Sequence, residues 1–149
     1  MVDEPIITSW GRLVEAYSFL DRRLGESLEA SCGIPMTWFE VLLRLARAED
    51  EQLTMGALTE QVALTSGGVT RLLDRMTKAG YVERRQCPTD RRVVYAALTA
   101  AGRGKIEEAA QVHARDLEEV FASFSPQERR VLDGLLDRLR PGRSAVVHA

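Results

Sequence analysis

The sequence TSGGVTRLLDRMTKAGYVERRQCPTDRRVVYAALTAAG, residues 65–102, carries the pattern that decides the fold. A helical stretch begins at its first residue and ends at Gly80, because glycine adopts the left-handed conformation of a helix C-terminus without strain. Two strand-like stretches follow at residues 81–85 and 92–98, and a polar turn containing a proline joins them. A helix beside a basic β-hairpin predicts a winged helix.

Positive charge is concentrated in the same segment. Residues 65–92 hold seven cations and three anions, whereas the whole 149-residue chain has a net charge of −2, so the remainder is acidic. A basic patch on an acidic body favours binding of a polyanion in one orientation. The charge therefore indicates DNA binding, with the helix in a major groove and the hairpin beside a phosphate strand. The alternative is a charged surface that only faces solvent.

Length and composition limit the class of protein. A chain of 149 residues, 45% of them apolar, can form a core, and we expect a single domain over residues 1–149. Its apolar runs are too short to cross a bilayer, and its first residues carry acids where a signal peptide needs cations. We therefore expect a cytoplasmic protein that does not contact a membrane. Two cysteines and two histidines, without CxxC or HExxH spacing, predict neither a disulfide framework nor a metal site.

Capping residues predict where the helices begin. Thr37, with Glu40 three residues later, forms a capping-box pattern for the second helix. Thr54, Thr65 and Thr99 precede the third, fourth and fifth helices, where a hydroxyl can accept a hydrogen bond from a free backbone N–H.

The fourth helix has two distinct faces when its residues are placed about 100° apart. The apolar side chains that gather on one face are Val69, Leu72, Leu73 and Met76. The residues on the opposite face or at its edge are Gly67, Arg71, Asp74, Arg75 and Lys78. One face is therefore predicted to pack in the core, while the other remains free for a partner.

Helices are also predicted at both ends of the chain, over residues 6–32 and 100–139. The last of them starts at Ser125, where a proline and Glu128 complete a capping-box pattern. Both ends carry more apolar positions than one small core needs, including the stripe Leu132, Leu135, Leu136 and Leu139. We predict that these dimerisation helices pack against their counterparts in a symmetric homodimer. The alternative is a monomer that folds them onto its own core.

Five short motifs resemble, in order and spacing, those of the MarR family, the multiple-antibiotic-resistance type of bacterial transcription regulator. They lie at residues 58–63, 70–75, 80–82, 90–92 and 98–102, and the resemblance extends from about residue 6 to residue 139. It implies a mostly α-helical winged helix-turn-helix fold with about six helices and a small β-hairpin wing. The DNA-binding lobe would span residues 37–98 of a homodimer that binds a palindromic operator as a repressor. Members of the family are often released by a small ligand or by oxidation.

The start of the fourth helix suits close approach to a duplex. Thr65 is followed by the small residues Ser66, Gly67 and Gly68. Such residues let the free N–H groups and the dipole of a helix N-terminus meet a phosphate. Alternatively, the two glycines only loosen the start of the helix.

The exposed face of the same helix provides the predicted contacts to bases and phosphates. Thr70 and Arg71 are the predicted base readers, because arginine can donate two hydrogen bonds to guanine. Arg75 and Lys78 are predicted to bind phosphates. Asp74 would repel DNA from this face, and its spacing predicts that it orients Arg71 or Lys78.

The turn of the hairpin contains the second group of candidate DNA contacts. Asp90 and Arg92 match the wing pair of the MarR family, in which the arginine resembles a minor-groove probe that the aspartate holds. A narrow A·T-rich groove attracts such an arginine, and Arg91 beside it would bind a phosphate. The alternative is a structural ion pair without DNA contact. Arg84 and Arg85 point to opposite faces of their strand, so only one of them can face DNA.

A further prediction is an effector cavity for a small aromatic ligand. In the MarR family such ligands bind between the dimerisation helices and the DNA-binding lobe. The residues predicted to line the cavity here are Trp10, Met36, Trp38, Phe39 and His113. Alternatively, these side chains are ordinary core. Cys87, in a turn flanked by arginines, is a candidate for a thiol of lowered pKa.

Two other functions compete with a DNA-binding regulator. A winged helix can serve as a protein-interaction module, whose basic face would bind an acidic partner. An enzyme is disfavoured, because the sequence contains no Walker loop, nucleophile elbow or paired acid–histidine pattern. We predict no catalytic residue and no cofactor.

Overall fold

The structure, a computed structural model, describes residues 4–62 and 66–140, with only the backbone described for Ser66. These residues form six α-helices and three short strands. The elements are α1 (Pro5–Cys32), α2 (Met36–Arg47), β1 (Gln52–Thr54), α3 (Met55–Gln61), α4 (Ser66–Lys78), β2 (Val82–Gln86), β3 (Val94–Leu98), α5 (Ala100–Val120) and α6 (Pro126–Asp137). The predicted winged helix-turn-helix fold is confirmed. The predicted cap Thr65 lies outside the described residues.

The chain divides into two compact units, Met1–His113 and Ala114–Ala149. The first contains α1 to β3 and most of α5, and the second contains the end of α5 and α6. No helix within residues 4–62 and 66–140 is long and apolar enough to cross a membrane.

The strands form one antiparallel sheet with the order β1-β3-β2. In the centre, β3 places Ala96 opposite Leu53 of β1 on one side and opposite Arg84 of β2 on the other. The hairpin of β2 and β3 was predicted, but β1 was not. A strand of three residues is too short to show the alternation of apolar and polar residues that predicts a strand. It forms because β3 offers it a free edge for backbone hydrogen bonds.

The structure confirms three predicted helix starts and corrects a fourth. Thr54 accepts a hydrogen bond from the N–H of Ala57 at 3.1 Å, and Ser125 forms a capping box with Glu128. Thr37 is not a cap, because α2 begins one residue before it and Pro35 is the N-cap. The carbonyl of that proline accepts hydrogen bonds from two backbone N–H groups of the first turn. Pro35 is extended, so the helix starts directly after it.

Thr99 caps α5 and also ties this helix to the end of α4. Its hydroxyl accepts a hydrogen bond from the N–H of Gly102 at 3.0 Å and donates one to the carbonyl of Gly80 at 2.6 Å. Its own N–H donates to the carbonyl of Tyr81 at 3.1 Å. Gly80 has a φ of 83°, which confirms the left-handed end predicted for α4.

The core of the first unit contains the apolar face predicted for α4. Val69, Leu72, Leu73 and Met76 are all buried. They pack with apolar side chains of the end of α1, of α2 and α3, and of β2 and β3. Because one face of α4 is held in this core, its other face is directed to solvent.

The second unit is a pair of helices with apolar side chains on its surface. Phe121, just after α5, meets Phe124 edge to face, with ring centroids 5.6 Å apart. The apolar residues that remain exposed in α6 and just after it are Val131, Leu135, Leu136 and Leu139. Leu132 of the predicted stripe is half-buried and lines a cavity of about 560 Å³.

Candidate nucleic-acid interface

The outer face of α4 carries most of the side chains predicted to contact DNA. The exposed residues on or beside this face are Gly67, Thr70, Arg71, Asp74, Arg75 and Lys78. Gly68 is half-buried, Thr65 lies outside the described residues, and nothing is described of the Ser66 side chain. A cationic helix face with glycine near its N-terminus can approach a duplex closely.

Asp74 has a different partner from the predicted one. Its Oδ1 lies 2.7 Å from Nη2 of Arg84, a residue of β2, and not beside Arg71 or Lys78. The same Nη2 lies 3.4 Å from the carbonyl oxygen of Thr70. Arg84 is the partner because β2 runs back along α4, where a strand residue reaches the carboxylate better than helix neighbours that extend into solvent.

The two arginines of β2 face opposite sides of the strand, as predicted. Arg84 points towards α4, whereas Arg85 pairs with Glu83 on the other side, with 2.5 Å between Nη2 and Oε1. Sequence alternation predicted this separation, but it did not predict which arginine meets α4.

The wing turn is closed by backbone and side-chain hydrogen bonds. The N–H of Cys87 donates to the carbonyl of Val93 at 2.9 Å, and the N–H of Val93 donates to the carbonyl of Asp90 at 3.0 Å. The amide of Gln86 donates to the carbonyl of Arg91 at 3.0 Å. These bonds give the turn a defined shape and leave Arg91 exposed.

Asp90 and Arg92 form the predicted pair at the tip of the wing. Oδ1 of Asp90 accepts hydrogen bonds from the backbone N–H of Arg92 at 3.0 Å and from its Nε at 3.2 Å. These bonds lower the pKa of the Asp90 carboxyl, which stays ionised at neutral pH. The side chain of Arg92 is 91% exposed, so it is oriented at one end and free to enter a groove.

The thiol of Cys87 has a lowered pKa, but not for the predicted reason. The largest cause is a hydrogen bond with Thr89, whose Oγ1 lies 3.3 Å from Sγ, followed by backbone hydrogen bonds from Thr89 and Asp90. The neighbouring arginines are not among the causes, and the charge of Asp90 opposes the shift.

The five residues predicted to line the effector cavity have different exposures and neighbours. Trp10 is exposed on α1, and Met36 lines a cavity of about 170 Å³ together with Tyr17. Trp38 packs edge-on against Tyr81, with ring centroids 6.1 Å apart. Phe39 is buried, and its ring centroid is 4.7 Å from that of His113. Of the five, Met36 is the one that lines this cavity.

Comparison of the sequence with known proteins identifies a family and several relatives. The family model described as MarR family matches residues 33–93. An uncharacterized HTH-type transcriptional regulator of Bacillus subtilis, YdgJ, is 33% identical over 121 residues, which cover 81% of this chain and 73% of the relative. The multiple antibiotic resistance protein MarR of Escherichia coli is 30% identical over 132 residues, 88% of this chain and 90% of its own.

Solved structures share the same fold. A mutant MarR of E. coli complexed with operator DNA has a TM-score of 0.78 and 31% identity, over 91% of this chain and 96% of its own. The MarR family regulator Sco3205 of Streptomyces coelicolor, in complex with DNA, has a TM-score of 0.81 over 93% of this chain and 90% of its own. At 24% identity, the second likeness concerns the fold alone.

Proposed function

Because this chain belongs to the MarR family of transcription regulators, we propose that it acts as a homodimer that binds a palindromic operator and represses transcription. That it is a transcription regulator acting on DNA follows from the family. The proposal adds the assembly, the direction of regulation and the residues that contact DNA. The observation that carries it is the exposed cationic face of α4 beside a wing whose tip presents Arg92.

The proposed docking places α4 in a major groove and the wing in the adjacent minor groove. Thr70 and Arg71 read base edges, while Arg75, Lys78 and Arg91 bind phosphates. Thr65, Ser66, Gly67 and Gly68 bring the helix N-terminus close to the backbone. The related MarR structure is a complex with operator DNA and has the same fold at 31% identity, which supports DNA binding by this chain.

The dimer is proposed from apolar side chains that a protomer leaves in solvent. Those on α1 include Ile6, Ile7, Trp10 and Tyr17, and those on α6 or just after it include Leu135, Leu136 and Leu139. Large apolar side chains that recur along one exposed helix are typical of interaction surfaces. A symmetric dimer covers both sets and presents two copies of α4 to the two halves of a palindrome.

Release by a small aromatic effector completes the proposal and rests on the family resemblance. The candidate binding site for the effector is the cavity lined by Met36, one of the five predicted residues, and by Tyr17. Its volume of about 170 Å³ is below the roughly 300–1,000 Å³ of most ligand sites. Single-ring compounds are therefore the first class to test.

Selection of bound sequences from a random DNA pool tests the proposed function. We expect the recovered sequences to share a palindrome with two half-sites about one helical turn apart, as a two-fold dimer requires. Binding to this palindrome should exceed binding to scrambled DNA of equal length at the same salt concentration. A recovered pool without a shared motif would contradict the proposal and favour a winged-helix module that binds an acidic protein.

Substitution of Arg71 and Arg75 should have different effects on binding. Arg71→Ala should reduce discrimination at one base pair per half-site by about 1–3 kcal/mol, since it removes the two hydrogen bonds to guanine. Arg75→Ala should weaken all sequences alike and reduce the dependence of log K on log salt, because it removes a phosphate contact. Fluorescence anisotropy with the selected palindrome and its single-base variants would measure both. The reverse pattern would show that the base-reading face of α4 is assigned wrongly.

Arg92→Ala should lower operator affinity roughly tenfold or more, because hydrogen bonds to charged groups contribute about 1.5–3 kcal/mol. The loss should depend on A·T base pairs at the wing position, whose narrow groove attracts arginine. Asp90→Ala should do less harm, and the double variant should bind little worse than Arg92→Ala, since the pair acts as one unit.

The DNA itself provides the control for the wing. On an operator with G·C pairs at the wing position, the wild-type protein and Arg92→Ala should bind with closely similar affinity. If Arg92→Ala matches the wild type on both operators and at low and high salt, the wing pair is structural.

A further inference from the structure

The face of α4 proposed to bind DNA contains one carboxylate among its cations. Asp74 is exposed and lies on the same face as Arg71 and Lys78. An unpaired carboxylate there would repel the phosphates that these cations attract. The structure pairs it with Arg84 of β2, ten residues further along the chain, at 2.7 Å.

We propose that Arg84 supports DNA recognition by neutralising Asp74 on the face of α4 that is proposed to bind DNA. This inference rests on the proposed function, because it concerns how the same interface is arranged. The guanidinium lies within 2.7 Å of Oδ1 of Asp74 and within 3.4 Å of the carbonyl oxygen of Thr70. It therefore spans one turn of α4, between a predicted base reader and the carboxylate.

The location of Arg84 in the sheet explains why it reaches Asp74. Val82, at the start of β2, is buried in the core beside α4, whereas the rest of the strand is exposed. Arg84 is the next residue on the strand that meets α4, and it lies opposite Ala96 of β3. The contact is therefore made where the hairpin leaves the core and extends towards its tip.

The charges identify Arg84 as a support for the interface and not as a phosphate contact. Its guanidinium is engaged by Asp74, and its side chain is 37% exposed, against 91% for Arg92 at the wing tip. Exposed ion pairs contribute little to the stability of a fold. The main effect of breaking this one should therefore appear in DNA binding, where the freed carboxylate faces phosphates.

The experiment compares Arg84→Ala, Asp74→Asn and the double variant on the palindrome recovered by selection. Arg84→Ala should weaken binding about tenfold or more, because it leaves an unpaired carboxylate next to the phosphates. The double variant should recover most of this affinity, since asparagine carries no charge. Asp74→Asn alone should bind close to the wild type, because the guanidinium then has no carboxylate to neutralise.

Arg85→Ala is the matched control. It removes the same charge from the neighbouring position on the opposite face of β2, where Glu83 is the partner. It should change affinity much less than Arg84→Ala, and the two variants should melt at nearly the same temperature.

The outcomes separate this inference from the proposed function. Suppose that the wild type binds its palindrome, but the double variant binds as weakly as Arg84→Ala. Suppose also that in Arg84→Ala the slope of log K against log salt becomes shallower by about 0.9 for each Arg84 removed. Arg84 then binds a phosphate directly, and the inference is overturned. If Arg84→Ala binds like the wild type, the pair is incidental and the inference fails too. If the wild type has no sequence-selective binding, the proposed function fails, and this inference fails with it.

Discussion

A protein that carries both Leu135→Asp and Leu136→Asp should be a monomer and should lose specific DNA binding. Both leucines lie on the exposed apolar face of α6, with Leu135 52% and Leu136 39% exposed in the isolated protomer. Covering a leucine side chain contributes roughly 1.5–3 kcal/mol, and burying an unpaired charge in its place costs more. The variant therefore both removes apolar contact and adds repulsion at a two-fold interface, where each substitution occurs twice.

Sedimentation velocity at micromolar protomer concentration would measure the assembly directly. A monomer should also contact only one half-site of the operator. It would then lose the roughly 10²–10⁴-fold gain in affinity that comes from linking two binding sites. Arg130→Asp is a suitable control, because it lowers the net charge by the same two units. By helical periodicity, Arg130 lies on the other side of α6 from Leu135.

The control should sediment as a dimer and should bind the operator far better than the double leucine variant. A wild-type protein that sediments as a monomer at this concentration would contradict the proposed assembly. A leucine variant that remains dimeric would show that α6 is not part of the interface.

Features set by local chemistry could be predicted from the sequence. The caps at Thr54, Thr99 and Ser125 depend only on residues within one turn of the helix, and all three form as predicted. The two faces of α4 follow from helical periodicity in the same way. Thr37 was a wrong prediction because a capping pattern competes with a proline two residues before it, and the extended proline starts the helix.

Features that depend on two distant segments could not be predicted in the same way. Asp74 has two cations within helical reach, so the spacing along the sequence favoured Arg71 or Lys78. The observed partner, Arg84, becomes available only after β2 folds back along α4. Strand β1 was missed for the same reason, because its three residues form a strand only when they pair with the distant β3.

The role of Gly102 also emerged only from the structure. In the sequence it is the last residue of a motif shared with the MarR family, without a physical reason for glycine at that position. In the structure it is buried in the first turn of α5, next to the carbonyl of Tyr81 that accepts the N–H of Thr99. A methyl group added at this position would lie 2.0 Å from that carbonyl oxygen and 2.8 Å from Cδ1 of Leu98.

Gly102→Ala should therefore destabilise the protein by about 1–3 kcal/mol or more, the usual cost of overpacking a well-filled core. The close neighbour is a backbone oxygen, which cannot move without breaking its hydrogen bond and shifting the end of α4 against the start of α5. Gly104→Ala is the matched control, two residues along the same helix, where an added methyl meets no atom within 4 Å. That change should stabilise the protein by up to about 1 kcal/mol, because alanine favours the helix more than glycine does.

Chemical denaturation at one fixed protomer concentration would give the free energy of unfolding for both variants, so that any dimer contributes equally to each. The two substitutions are chemically identical, and we expect shifts of opposite sign from the wild-type value. A shift of the same sign and size at both positions would mean that the close contact of Gly102 with Tyr81 does not determine the stability of the fold. A loss of stability confined to Gly102→Ala would show that this glycine allows the start of α5 to pack against the residues that follow α4.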